Sequence, residues 1–439
     1  MKVLFTTLAH NTHFYPMVPL AWALRTAGHE VRVASQPDLA ETITESGLTA
    51  VPVGPAEAEW TLDDPVAMEL LEEIYEEGAL YVYEFDFDDR EGKRWTPERL
   101  LTLENIMVPS LLAAVNNDPM IDDLVDFARS WQPDLVIWEA FTMAGAVAAR
   151  ATGAAHARLL WAPDITVRAR QEFLGQAMTL PPEHREDPTA EWLEWTLNRF
   201  GQNFDDEILT GQWTIDPSPP STRLDLGGRT IGVRYVPHNG PSVVPEFLRT
   251  PPSRRRVCLS FGLSEAVEGL GEALADTLQA FDGVDAEVIA TVDPAELDPL
   301  PELPGNVRLA GFVPLNDLLP SCSAIVHHGG TGTRATAELH GVPQITLAYG
   351  AEVAVRAAQI EELGAGLTMP MEELTSSALR EKIIKVLDDP SFAENAMQLR
   401  TEILAEPTPN DLVPLLEKMT AEYRTAPAHS EHHSVQPRS

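Results

Sequence analysis

The sequence predicts an α/β protein built from two doubly wound domains, and three observations carry that prediction. Strand-like and helix-like stretches alternate over residues 1–55, and the alternation restarts near residue 257. An apolar strand then runs into a glycine-rich turn and a helix at 326–333, Val-His-His-Gly-Gly-Thr-Gly-Thr. With 439 residues the chain exceeds one ordinary core. At ~150 residues per domain it holds two or three, and two similar halves fit the repeated pattern best.

Taken in order, residues 2–8 read as a buried strand, 17–27 as a helix, 30–34 as a strand, 38–46 as a helix and 48–53 as a third strand. In the first helix Met17, Leu20, Ala21 and Leu24 recur at helical spacing, Pro19 falls in the tolerant first turn, and Gly28 can end it. A run at 134–138, Asp-Leu-Val-Ile-Trp, is a further buried strand, followed by an alanine-rich helix over 141–151 and a strand near 156–161. This order predicts an open, mostly parallel sheet. Between the two parts lies an irregular insertion, 57–125, in which Trp60, Tyr75, Tyr81, Tyr83, Phe85, Phe87 and Trp95 stand among many carboxylates. Those aromatic side chains have three readings: an apolar pocket, a protein contact surface, or a cover for the sheet.

Proline-rich punctuation at 216–220 and 237–241 makes 216–252 the expected linker between a first domain at 1–215 and a second at 253–405. In the second, strands are expected at 257–261, 286–290, 307–310, 324–327 and 344–347, with helices at 266–281 and 331–340. Helices over 373–388 and 391–405 follow, then a last one within 406–424. Residues 425–439, with His429, His432 and His433 among polar neighbours, read as a solvated, disordered tail.

Acidic residues number 67 against 31 basic ones, a formal net charge of −36. Such a field repels nucleic acid and anionic lipid, so neither is an expected partner. A small phosphorylated ligand remains compatible, held by local dipoles and a few arginines. Cys258 and Cys322 sit in apolar, strand-like contexts without metal-ligand spacing and read as reduced thiols. No stretch is long and apolar enough to span a bilayer, and the opening residues read as a buried strand rather than a leader; a soluble, cytoplasmic protein is expected.

The turn at 326–333 points to an anion. Gly329, Gly330 and Gly332 let backbone approach a ligand closely, and the first turn of the following helix leaves N–H groups unpaired at its positive end. The pattern is neither the dinucleotide fingerprint nor a P-loop, since no Lys follows. A tight strand-to-helix turn that binds nothing is the alternative. Asp86-Phe87-Asp88 has the form of a metal-binding Asp-x-Asp, but it lies in a run of acidic residues far from the turn and reads as a solvated face.

These residues together resemble the GT-B glycosyltransferases that use nucleoside-diphosphate sugars. His13-Phe14-Tyr15-Pro16 with Gly28-His29-Glu30-Val31 resembles the family's amino-terminal signature. His328-Gly329-Gly330-Thr331-Gly332-Thr333, continuing to Gly341-Val342-Pro343-Gln344, Gly350-Ala351-Glu352 and Gly364-Ala365-Gly366, resembles its donor signature. Arg158-Leu159-Leu160-Trp161, Gly211–Pro217 and Arg234-Tyr235-Val236-Pro237 extend the similarity to actinobacterial macrolide-type deoxysugar transferases, such as desosaminyl, mycaminosyl and forosaminyl transferases. The resemblance spans all but the final tail. It implies a GT-B fold, with two Rossmann-like domains facing each other across a cleft, the first taking the acceptor and the second the sugar nucleotide.

What the resemblance implies for function is an inverting, metal-independent transfer of a deoxy- or aminodeoxysugar from a TDP-sugar to a hydroxyl of a hydrophobic macrolide or polyketide aglycone, with no cofactor. His13 is the candidate base, since imidazole titrates near neutrality; a helix-capping histidine is the alternative. Glu139 matches the orienting carboxylate, where Asp is commoner, and His10 and Asp134 are alternatives for that role. His328 matches the pyrophosphate-contacting histidine. Gly330, Thr331 and Gly332 would give N–H groups, Thr333 a hydroxyl to the β-phosphate, and Ser260 and Ser264 further contacts. Val313 backbone would read the base, and packing of Phe312 in the core is the competing role for that segment. Glu352-Val353 stands where the family has Asp-Gln, which favours a donor sugar lacking hydroxyls, because Val353 cannot hydrogen-bond; Glu352 could also meet an aminosugar's cation. A monooxygenase-like auxiliary protein, docking at 57–125, and a homodimer are further expected partners. Two other classes stay open: a nucleotide-sugar epimerase of the same architecture and a non-catalytic sugar-nucleotide binding protein.

Overall fold

The computed structural model describes residues 1–56, 85, 87, 89, 93–182, 185–261, 271–294, 302–348 and 350–424. Within them β1 (Lys2–Thr6), β2 (Glu30–Ser35), β3 (Ala50–Pro52), β4 (Leu135–Glu139), β5 (Ala155–Leu159), β6 (Trp213–Asp216) and β7 (Thr230–Gly232) form one sheet, in the order β3-β2-β1-β4-β5-β6-β7. A second sheet holds β8 (Arg256–Ser260), β9 (Glu287–Ala290), β10 (Val307–Leu309), β11 (Ala324–His327), β12 (Gln344–Ala348) and β13 (Gly366–Pro370), in the order β10-β9-β8-β11-β12-β13. Every pairing in both is parallel. Each sheet reverses its winding beside its first strand, between β1 and β4 and between β8 and β11. Open α/β sheets bind ligands at the carboxyl ends of strands at such a reversal.

The first sheet is flanked by α1 (Asn11–Phe14), α2 (Val18–Thr26), α3 (Ala40–Glu45), α4 (Pro97–Met107), α5 (Asp118–Trp131), α6 (Ala144–Thr152), α7 (Ile165–Ala177) and α8 (Pro188–Asn198). The second carries α9 (Gly271–Gln279), α10 (Thr331–His340), α11 (Ala351–Glu362), α12 (Ser376–Asp388) and α13 (Pro390–Ala405), and α14 (Pro409–Tyr423) ends the described chain. Strand side chains alternate faces. Val3, Phe5 and Ile137 meet Leu20 and Leu24 of α2 on one side, whereas Leu4, Val136 and Trp138 meet α5 and α6 on the other. Burying a side chain such as Phe5 contributes roughly 2–3 kcal/mol.

Two features depart from the expected organisation. β7 lies inside the segment expected as linker, so the first sheet extends to Gly232. Helix α14 packs Leu412, Leu416 and Met419 into the first domain's core, after a capping box in which Thr408 and Asp411 satisfy each other's backbone. Both contacts are made between residues remote in sequence, which local periodicity cannot register. In the insertion, Phe85, Phe87 and Trp95 pack as a core with α4 and α7. Trp60, Tyr75, Tyr81, Tyr83, Asp86, Asp88 and the tail histidines lie outside the described residues, as does the start of the helix expected at 266–281. Among the described residues no helix is long and apolar enough to cross a membrane.

Candidate active site

The first cluster forms where the chain leaves β1 and β4, which pair directly with Thr6 opposite Trp138. After β1 the backbone turns into α1, whose amino end is capped by the His10 ring accepting from the Thr12 N–H. His13 therefore stands within a short helix rather than ahead of the first one. Its Nδ1 is 3.2 Å from Oε2 of Glu139, the last residue of β4. Glu139 is 1% exposed. Its Oε1 accepts from the Thr142 hydroxyl, and its Oε2 also accepts from the Phe141 N–H at 3.1 Å and the Trp161 Nε1–H at 3.2 Å.

Burial alone would raise the Glu139 carboxyl, but His13 and the donors from Thr142 and Phe141 outweigh it and hold the group below its usual range. With Glu139 ionised, His13 Nδ1 carries the proton and donates, which leaves Nε2 as the acceptor. The Trp161 ring lies 4.3 Å from the imidazole and Phe141 5.9 Å, fixing its plane. Asp134 is at the opposite end of β4, accepting from the Lys2 N–H at 2.7 Å, and is removed from His13. His10 makes an edge contact with the His13 ring at 5.7 Å.

The second cluster forms where β8 and β11 end, with His327 opposite Ser260. Gly330 is the N-cap of α10 and offers no side chain, so the first-turn N–H groups of Thr331, Gly332 and Thr333 are open to a ligand. Gly329 has φ +94°, and a Cβ there would overlap Val353 Cγ1. His328 Nδ1 is 3.5 Å from the Ser260 carbonyl, which directs Nε2 against Gly330. Burial holds this imidazole below its usual range. Ser260 ends β8 with its side chain buried, and Ser264 lies outside the described residues.

The other histidine of the doublet also has a part. His327 Nδ1 accepts the Gly329 N–H at 3.0 Å, and its Nε2 is 2.9 Å from the Gln344 amide oxygen. Burial pushes its pKa down to about 3, so it stays neutral with one tautomer fixed. Arg334 pairs with Glu338 at 2.6 Å along α10. Tyr235 reaches across from the segment after β7, its hydroxyl near Gly332 and pushed up to about 12 by burial. Val313 is buried at 2% exposure among Cys258, Ile289 and Leu318, whereas Phe312 is 49% exposed and is not a core residue.

The clusters face each other. Glu352, in the first turn of α11, feels both His13 of the opposite domain and Arg334. Desolvation outweighs their pull and that of its own backbone N–H, and raises its carboxyl above the ordinary range. An imidazole with a fixed tautomer thus opposes a helix amino end, and the half-buried Glu352 carboxyl feels both sides. Among the described residues no group of three His, Cys, Asp or Glu is arranged to hold a metal ion.

Residue reading alone did not single out Trp161, Thr142, His327 or Tyr235. Trp161 and Tyr235 lie in motif stretches, and His327 is adjacent to the histidine selected, so composition offered a place but no role.

Comparison with known proteins shows the family. Residues 22–262 match the model of the "Erythromycin biosynthesis protein CIII-like, N-terminal domain", and residues 275–419 match the corresponding C-terminal domain. The chain is 50% identical to the 10-deoxymethynolide desosaminyltransferase of Streptomyces venezuelae, covering 98% of this chain and 100% of that one. It is 48% identical to the 3-alpha-mycarosylerythronolide B desosaminyl transferase of Saccharopolyspora erythraea, over 96% and 99%. Among solved structures, the glycosyltransferase VinC in complex with dTDP superposes with a TM-score of 0.80 at 38% identity, covering 96% of this chain and 100% of that one.

Proposed function

This chain belongs to the erythromycin biosynthesis protein CIII-like glycosyltransferases, and from that premise we propose that it moves an aminodeoxysugar from a TDP-sugar to a hydroxyl of a macrolide or polyketide aglycone. The observation that carries this reading is the oriented His13–Glu139 pair facing the amino end of α10, a base opposite a diphosphate site.

His13 Nε2 takes the proton of the acceptor hydroxyl while the oxygen attacks the anomeric carbon. The bond from that carbon to the diphosphate oxygen breaks, and TDP leaves with the electron pair. Displacement in one step inverts the anomeric centre. Charge growing on the departing phosphate is met by the α10 amino end, His328 and the Thr333 hydroxyl, so these groups act on rate as well as affinity. Because they can meet that charge, we infer that no divalent metal is required. Ser260 and Ser264 stand as further donor contacts and Val313 backbone as the reader of the thymine edge. Val353 offers the donor sugar an apolar wall, and the half-buried Glu352 carboxyl suits an amino cation, which supports an aminodeoxysugar over a fully hydroxylated one.

The two relatives above are named desosaminyl transferases. We read this chain as acting in the same class, in a cytoplasm that keeps Cys258 and Cys322 reduced. Docking of an auxiliary activator protein at 57–125 and a homodimer are proposed from family resemblance; full activity of the purified monomer alone would remove both.

The test is incubation of purified protein with TDP-desosamine and 10-deoxymethynolide, followed by a panel of related aglycones, with and without an auxiliary protein and a chelator. Expected is a product of aglycone-plus-sugar mass with inverted configuration, formed equally well with chelator. Tight TDP binding without product in every combination would instead favour a non-catalytic binding protein.

A further inference from the structure

Helix α11 belongs to the second domain by topology, as the crossover from β12 to β13, yet one face of it is built into the first domain. Val355 is 1% exposed and packs with Phe85, Phe87, Ile165 and Phe173. The next residue, Arg356, is 3% exposed. Its Nη1 donates to the Thr222 hydroxyl at 2.6 Å and to the Gln359 amide oxygen at 3.3 Å, and its Nη2 donates to the Ser218 hydroxyl. Gln359 in turn donates to the Thr222 carbonyl at 3.0 Å. Ser218 and Thr222 lie on the chain leaving β6 of the acceptor domain.

This is an unusual way to bury a cation. Among the described residues no carboxylate stands within ion-pair distance of Arg356; Glu338 and Asp216 act on it only at longer range, and Arg334 and Arg223 oppose it. Its Nε–H has no hydrogen-bond partner among the described residues. Burial pulls the guanidinium down to about 9. Placing a charge among neutral oxygens costs free energy that an apolar side chain would not, so stability alone does not account for it. What the fork supplies is geometry: two hydroxyls and an amide fix its plane, and with it the helix.

The helix so fixed begins at the donor sugar pocket. Glu352 and Val353 lie four and three residues before Arg356, about 6 Å and about 4.5 Å along the axis at ~1.5 Å per residue. We propose that Arg356 is a positioning residue for glycosyl transfer: through Ser218 and Thr222 it locks α11 to the acceptor domain and sets the register of the donor sugar pocket against His13. The inference rests on the transferase reading above. The diphosphate site lies on α10, a different element, so loss of the lock separates two quantities that a general loss of structure would move together.

The experiment compares full-length wild type, Arg356→Met, Arg356→Lys and Ser218→Ala/Thr222→Val. It reads TDP affinity by calorimetry, kcat and donor KM with TDP-desosamine and an aglycone that wild type glycosylates, and hydrogen exchange of residues 351–362 and 218–222. Expected for Arg356→Met is a kcat at least about tenfold lower with TDP affinity within about threefold, because a misplacement on the order of 1 Å is costly to rate. Exchange should rise in both segments, and Arg356→Lys should recover part of the rate. If Arg356→Met does not fold, the double variant should show the same split. A wild-type kcat in Arg356→Met, or a rate loss matched by equal losses of TDP affinity and melting temperature, would overturn the proposal. Should wild type glycosylate nothing, the transferase reading fails, and exchange decides on Arg356 alone: unchanged protection in both segments overturns the lock.

Discussion

His13 Nδ1 and Glu139 Oε2 stand 3.2 Å apart although 126 residues of chain separate them. Adjacency of β1 and β4 creates that meeting, and the carboxylate, held ionised by its donors, sets which imidazole nitrogen is free. Glu139→Gln removes the charge while keeping the shape. It is expected to lower kcat by about 10²–10⁴-fold, the range of a positioned base, with TDP affinity little changed. Steady-state kinetics beside TDP calorimetry checks this; equal losses in both would assign Glu139 to the scaffold.

Trp161→Phe keeps a ring against His13 but deletes the N–H that reaches Glu139. Loss of a donor to a buried carboxylate is expected to cost about 1–2 kcal/mol of stability. Glu139 should then hold His13 less firmly, and kcat should fall severalfold. Thermal unfolding and kinetics on one preparation test both halves.

His327 accepts from the N–H two residues ahead, the arrangement an Asn side chain makes in an Asx turn. His327→Asn should therefore retain TDP binding within about threefold, whereas His327→Leu should leave the Gly329 N–H unsatisfied and weaken it by about tenfold or more. Calorimetric titration with TDP distinguishes them, and equal behaviour of the two variants would contradict the role.

His328 is held below the ordinary imidazole range in the free protein. A bound diphosphate favours its protonated form and so raises its pKa on binding. The affinity gained is therefore fully present below the free-state pKa and is lost as pH rises through the bound-state pKa. TDP should bind more tightly toward acid, with proton uptake visible as buffer-dependent heat. His328→Gln should lose the part of the slope that the nucleotide's own phosphate does not supply.

In the proposed transfer Val353 and Glu352 shape the sugar subsite. Val353→Gln should raise the use of TDP-glucose relative to TDP-desosamine by about tenfold, by supplying an amide to a hydroxyl, and Glu352→Gln should weaken the aminosugar donor selectively. Competition between the two donors in one reaction gives the ratio directly.

The legible parts were those written in consecutive residues. Periodicity located β1, β2, β4, β11 and α10 within about two residues, and the glycines marked the strand-to-helix turn, where positive φ at Gly329 and the His328 ring against Gly330 leave no room for a side chain. Glu139 emerged only through resemblance, since nothing local distinguishes it from other strand-end carboxylates. Trp161 reaching Glu139, β7 joining the first sheet and Arg356 reaching Ser218 across 138 residues were not legible. Each depends on which strands become neighbours, and one sequence without covariation does not carry that.

In the proposed transfer a base on the first domain activates the acceptor against a donor held by the second, and His13→Ala probes this when TDP affinity and sugar transfer are measured on the same sample. The account predicts TDP affinity within about twofold of wild type and transfer reduced at least about 10²-fold. Transfer at the wild-type rate in that variant would contradict it.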